Sequence, residues 1–169
     1  MLEDEIYQRV LTRILDFVSG RARTVSEVER KIDALLKGRT TGEVSQSIEN
    51  KNIKIRVMEK LSSLKLLSDF QYAKDYLNEK VNSSSPVGPG AVKKFLYHKG
   101  VSSELIKDTV SNFSEQDEKE AIEKLLERKM RLVTKRDLKT KNKIIRFLLY
   151  KGFSSKAVFP AVDTKFEVK

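Results

Sequence analysis

Cysteine and tryptophan are both missing from this 169-residue chain, and histidine occurs once, at His98. Without a thiol there is no disulfide framework, no thiolate zinc site and no cysteine nucleophile, and a single imidazole cannot build a histidine metal cluster. Glycine (7) and proline (3) are scarce. No glycine-rich loop ends in Gly-Lys-Ser/Thr and no Gly-x-Ser-x-Gly elbow occurs, so neither a P-loop nor a hydrolase nucleophile is written here. We expect no enzyme and no cofactor. Apolar runs fall well short of the ~18 residues of a membrane span, and the start, Met1-Leu2-Glu3-Asp4-Glu5, is acidic rather than leader-like. A cytoplasmic protein without membrane contact is expected.

Charge is what the chain has in abundance. Lys and Arg number 34 against 24 Asp and Glu, leaving +10, while hydrophobic residues make up only 39%. Such a composition favours helices with wide solvated faces and an anionic partner, either nucleic acid or an acidic protein surface.

The chain also repeats itself. Shifting Val92–Val110 by 52 residues onto Ile144–Val162 matches Phe95/Phe147, Leu96/Leu148, Lys99/Lys151, Gly100/Gly152, Ser102/Ser154, Ser103/Ser155 and Val110/Val162, seven of 19 positions. Repetition of this kind marks a supersecondary unit that buries its apolar face against copies of itself. The shared residues specify the unit. Gly100 and Gly152 end one helix in a Schellman-type turn, with Val101 or Phe153 reaching back to Leu96 or Leu148. Ser102 and Ser154 then cap the next, flanked at staple spacing by Val101 and Ile106, or by Phe153 and Val158.

Apolar spacing of three and four predicts helices through the rest of the chain. One covers Glu5–Val18, with Tyr7, Leu11, Ile14, Leu15 and Val18 inward. Thr24 and Glu27 have capping-box spacing ahead of Val25, Val28, Ile32, Leu35 and Leu36. Arg39–Asn50 lacks a period and reads as a loop or a ragged helical insert, before a helix over Lys51–Leu64. Ser68-Asp69-Phe70-Gln71 has capping-box spacing and opens a helix with Phe70, Ala73, Tyr76, Leu77 and Val81 on its face. Gly88-Pro89-Gly90 reads as a turn or helix start rather than a phosphate cradle. Ser114 caps a helix to about Val133, Asp137 precedes the helix of Ile144–Tyr150, and Pro160 is expected to cut or kink the last helix. Phe95 and Phe147 are assigned to the core. Tyr72, Tyr76, Tyr97 and Tyr150 are expected half-buried at seams between modules. No segment alternates as a strand does. The fold class is therefore all-α: a tandem array of three three-helix repeats at 5–64 (degenerate, with an insert at about 38–50), 68–112 and 114–162. The expected molecule is elongated, curved and monomeric, with a loose tail at 163–169.

The densest charge lies in Arg128–Lys151. Arg128, Lys129, Arg131, Lys135, Arg136, Lys139, Lys141, Lys143, Arg146 and Lys151 face one acid, Asp137, so ten minus one leaves +9. The apolar set Ile144, Ile145, Phe147 and Leu148 fixes the helical cations on the outward face, and such a face attracts polyanions. Lys93, Lys94 and Lys99 form a smaller basic face in the corresponding helix, where Lys94/Arg146 and Lys99/Lys151 are equivalent. All thirteen are candidate partner or nucleic-acid contacts. His98, beside Lys99 in a last helical turn, is read as a favourable dipole contact.

Leu66-Leu67-Ser68-Asp69-Phe70-Gln71-Tyr72-Ala73-Lys74-Asp75-Tyr76, the stretch from Gly88-Pro89-Gly90 through Lys99-Gly100-Val101-Ser102, Lys139–Ile145 leading into Phe147-Leu148, and Tyr150-Lys151-Gly152-Phe153 together resemble the bacterial RecX regulators of the recombinase RecA. The likeness spans about residues 5–162. Lys65 stands where that family has Gly, and Ser68 where it has an acid. The resemblance implies three tandem three-helix repeats and a non-enzymatic modulator lying along the groove of the RecA filament on DNA. There it would bridge protomers and lower ATPase activity, strand exchange and filament growth. The alternative is a stand-alone helical nucleic-acid-binding protein that acts directly on DNA.

Overall fold

A computed structural model describes residues 2–37 and 44–167. Among the described residues there are nine helices and no strand: α1 (Leu2–Ser19), α2 (Val25–Leu36), α3 (Val44–Ser63), α4 (Asp69–Asn82), α5 (Pro89–His98), α6 (Ser103–Ser111), α7 (Glu115–Met130), α8 (Leu138–Tyr150) and α9 (Ser155–Glu167). The all-helical repeat fold is thus as the periodicity requires. None of these helices is long and apolar enough to cross a membrane.

Internal contacts divide the chain into two compact units, Met1–Tyr72 with Lys99–Val101, and Ala73–His98 with Ser102–Lys169. In the first, α1, α2 and α3 pack on one another around Ile14, Ile32, Ile53, Val28, Val57 and Leu61, all fully buried. Each such aliphatic side chain contributes about 1.5–3 kcal/mol on burial. Thr24 begins α2 with the capping box its spacing predicts. Arg23 lays its guanidinium on the Phe17 ring at 3.9 Å and donates to the Phe17 carbonyl at 3.2 Å, satisfying an acceptor at the end of α1.

α3 starts earlier than the sequence suggests. Residues 44–50 are helical although they lack an apolar period, and Ile48 is exposed. Once Ile53, Val57 and Leu61 anchor a helix, adding turns at its N-terminus requires no new nucleation. The remainder of the expected insert, 38–43, lies outside the described residues. At the other end of α3, Lys65 adopts a left-handed φ of 54°, with Lys65 N donating to Ser62 O at 2.9 Å and Leu66 N to Leu61 O at 3.1 Å. A lysine therefore performs the turn usually given to glycine.

In the second unit α7, α8 and α9 pack together over Ile122, Leu126, Leu148, Val158 and Val162. α9 runs through Pro160 and on to Glu167, so the proline does not cut the helix and 163–167 are helical rather than a loose tail; 168–169 lie outside the described residues. The stripe Val158, Val162, Phe166 packs on this core and holds the turns beyond the proline. Glu118, buried on α7, accepts from Ser154 N at 2.6 Å and from Ser154 Oγ at 3.0 Å, tying α7 to the start of α9. On α4 the packed positions are Ala73 and Leu77, while Phe70 points outward at 61% exposure, against the expectation.

The echo appears as equal geometry. Gly100 and Gly152 have φ of +79° and +87°, and Ser102 and Ser154 each accept an amide three residues on at 3.3 Å. Both turns also dock the same way. The Lys99 carbonyl accepts from Thr24 Oγ1 at 2.7 Å, and a Cβ on Gly100 would meet Ser26 at the start of α2. The Lys151 carbonyl accepts from Gly88 N and the Gly152 carbonyl from Gly90 N, both at 2.9 Å, at the start of α5. Gly88-Pro89-Gly90 is thus a close-packing surface for backbone.

Candidate functional site

The basic run occupies the end of α7, the connection 131–137 and α8. Ser114 opens α7 with a capping box onto Asp117, and Glu115, Asp117 and Glu118 in its first turn oppose Arg128 and Lys129 in its last, each charge suited to the helix dipole. Asp137 caps α8 by accepting from Thr140 N at 2.8 Å. Hydrogen bonding from Thr140 holds the Asp137 carboxyl below its ordinary value, so the only acid of the run is committed to the cap.

The cations then fall into two groups. The first is engaged inside the molecule. Arg128 donates to the Ser84 carbonyl and Lys151 to Ser85 Oγ at 3.0 Å; Lys124, outside the run, donates to the Ser83 carbonyl at 2.9 Å. Together they pin the Ser83–Ser85 loop that precedes α5. Lys141 pairs with Asp163 at 2.9 Å, Arg136 donates to the Lys165 carbonyl at 3.4 Å, and Arg146 to Asn142 O at 3.4 Å. Lys99 is engaged too, its ammonium lying 2.6 Å from Glu27 Oε1. Burial alone would raise the Glu27 carboxyl, but hydrogen bonds from Lys99 and the Thr24 amide, with the Lys99 and Arg21 charges, bring it below its ordinary value. The equivalent pair Lys99/Lys151 is therefore turned to acceptors inside the molecule.

The second group surrounds a groove between the end of α7 and α8. Lys129, Leu132, Lys135, Lys143, Ile144 and Phe147 line a cavity of about 610 Å³. Lys129 Nζ lies 4.3 Å from the Phe147 ring centroid, and Leu132 and Leu138 beside the groove are 80% and 71% exposed. Among the described residues Lys135, Lys139 and Lys143 are exposed and without a hydrogen-bond or ion-pair partner, and Arg131 is exposed with none. Lys93 and Lys94 on α5 are likewise exposed.

Of the aromatic residues, Tyr76 stacks on Phe95 at 4.0 Å, and Phe95 and Phe147 are half-buried rather than core. Tyr97 and Tyr150 are exposed, at 67% and 90%, correcting their assignment to seams. The cause is phase: each lies one residue past the buried Leu96 or two past Leu148, on the solvent side of its helix. Sequence reasoning missed the role of Ser83–Ser85 because the signal, three serines before a proline, reads only as a flexible loop. No group of His, Cys, Asp or Glu among the described residues could hold a metal ion.

Three-helix units closed by paired glycine turns and carrying a basic groove define a class, the all-helical repeat proteins. Within it, the family description "RecX, third three-helix domain" matches residues 116–162. The chain is 31% identical over 144 residues to the regulatory protein RecX of Clostridium perfringens (strain SM101 / Type A), covering 82% of this chain and 65% of that protein. It is 32% identical over 164 residues to the regulatory protein RecX of Bacillus subtilis (strain 168), covering 95% and 56%. The fold is that of a crystal structure of regulatory protein RecX (TM-score 0.75, 24% identity, 96% of this chain and 74% of that one) and of RecX from Lactobacillus salivarius (0.69, 24%, 98% and 99%). In sequence over most of its length the chain is similar to the RecX regulators. It spans less than two thirds of the length of the two curated relatives.

Proposed function

We propose that this chain is a non-enzymatic cytoplasmic regulator that binds the RecA filament on DNA and lowers its ATPase activity, strand exchange and growth. The observation that carries the reading is the α7–α8 groove, where Lys129, Lys135 and Lys143 border an apolar floor, with Lys139 on the same helix. Its cations are not consumed by internal pairs, so the desolvation and ordering they undergo on binding are offset by contacts with an anionic surface. In this reading the repeats 5–64, 68–112 and 114–162 are the modules, and the chain acts as a monomer by several weak contacts whose avidity accumulates. The family's regulatory name agrees with binding rather than turnover.

The test is RecA ATPase on single-stranded DNA with this protein titrated in. A fall in rate is expected, and no change at saturating protein overturns the reading. Sequence-selective binding to naked duplex with no RecA effect would instead favour a protein that acts on DNA directly.

A further inference from the structure

A second groove, of about 700 Å³, lies between α5 and α6 and belongs to none of the contacts above. Its walls follow from helical spacing. Gly90, Lys93, Lys94 and Tyr97 share one stripe of α5, and Ser103, Ile106, Lys107 and Val110 share one stripe of α6. Gly90 contributes no side chain, so the floor is Ile106, Val110 and the aliphatic stems of the lysines. The rim is Lys93, Lys94 and Lys107, exposed, with no acidic residue lining the groove and no ion-pair partner among the described residues.

We propose that this groove docks an acidic, helix-forming peptide segment of a protein partner. Its size falls in the ~300–1,000 Å³ range of ligand clefts, and an apolar floor between helices takes the i, i+4 anchors of an amphipathic helix. Three unpaired ammonium groups above that floor select carboxylates flanking the anchors. A second copy of this chain, at +10, is the wrong sign. Nucleic acid is disfavoured because one rim tyrosine does not make a succession of stacking platforms. The related hairpin α8–α9 supplies an internal comparison: Ile145, Leu149 and Phe159 stand where α5–α6 has Lys93, Tyr97 and Lys107, so only Arg146 keeps a rim charge. The lysine-rimmed groove is special to α5–α6.

The proposal is independent of the filament reading, since it uses another groove and another ligand chemistry. The probe is a fluorescein-labelled 15-residue peptide with leucine at i, i+4 and i+7 and glutamate on the flanks, followed by anisotropy with the full chain at ~150 mM salt, where weak surface attraction is screened. Binding is expected, with a loss of about tenfold or more when the leucines become serine or the glutamates become lysine. Lys107→Glu and, separately, Tyr97→Ala should each weaken it several-fold with unchanged helicity, whereas Lys139→Glu on α8 should leave it intact. Amide shifts on titration should cluster on α5 and α6. Equal binding of the serine peptide, insensitivity to Lys107→Glu, no binding at all, or displacement by oligo(dT) from the same residues would each overturn it. Lys139→Glu that abolishes the RecA effect but not peptide binding would separate the two readings.

Discussion

The Gly90 amide donates to the Gly152 carbonyl at 2.9 Å, so the turn after α8 lies backbone to backbone on the start of α5. No side chain fits between them. A Cβ on Gly88 would sit 2.4 Å from Gly152 C, and one on Gly152, already at φ +87°, would sit 2.2 Å from Ala91 N. Gly88→Ala is expected to cost about 2–3 kcal/mol, because backbone cannot yield as a side chain can. Gly152→Ala adds left-handed strain to the same overlap. Gly20, with nothing within 4 Å, is the control and should change by less than about 0.5 kcal/mol. Urea midpoints of the three variants check the ranking.

Lys65 offers the opposite change. Its φ of 54° is strained for any residue with a Cβ, and its side chain is exposed. Lys65→Gly relieves the strain while loosening the unfolded chain, so a net gain of about 0.5–1 kcal/mol is expected, read as a raised thermal midpoint.

Glu27 makes stability depend on pH. Its carboxyl titrates below the ordinary value of 4.5 in the folded chain, so the unfolded state binds the proton first as pH falls. The Lys99 and Thr24 contacts then contribute fully above about 4.5, and their contribution is lost as pH drops through the lower folded value. Wild type should lose stability between pH 5 and 3 more steeply than Glu27→Gln, which lacks this titration; urea melts across about that range measure the difference.

The two groups of cations predict two phenotypes. Lys139→Glu with Lys143→Glu should abolish the effect on RecA ATPase at unchanged thermal midpoint, since neither ammonium holds the fold. Arg128→Ala with Lys151→Ala should lower the midpoint by the equivalent of about 1–3 kcal/mol, releasing the loop at Ser84 and Ser85. The reverse pattern would exchange their roles. Circular dichroism melts beside ATPase titrations decide.

Much of this was legible locally. Gly100, Gly152, Ser102 and Ser154 could be assigned to turns and caps because those functions depend on a residue's own backbone and on neighbours within one turn. Thr24 and Ser114 were readable for the same reason. Phe70 was not, because an apolar side chain near the edge of a helical stripe is placed inward or outward by the element packed against it; Tyr97 and Tyr150 lie on the solvent side by helical phase, while Tyr72 and Tyr76 are half-buried as expected. The basic run shows the same limit. Its charge was plain, but the carbonyls at Ser84 and Lys165 and the carboxyl of Asp163 that absorb part of it are far away in the chain.

Order along the chain was enough to set helix type, the helix ends marked by caps, the repeat and the chain's own excess of positive charge, because each follows from short-range spacing or from composition. Packing alone divided ten cations into those that hold loops and those that face outward, and it alone opened the α5–α6 groove. Ion pairs and grooves are made by residues distant in sequence, whose meeting is fixed only when the helices dock. Gly88 and Gly90 show the difference most directly: their sequence reads only as a turn or helix start, and it is the backbone of Gly152 packed against them that leaves no room for a Cβ.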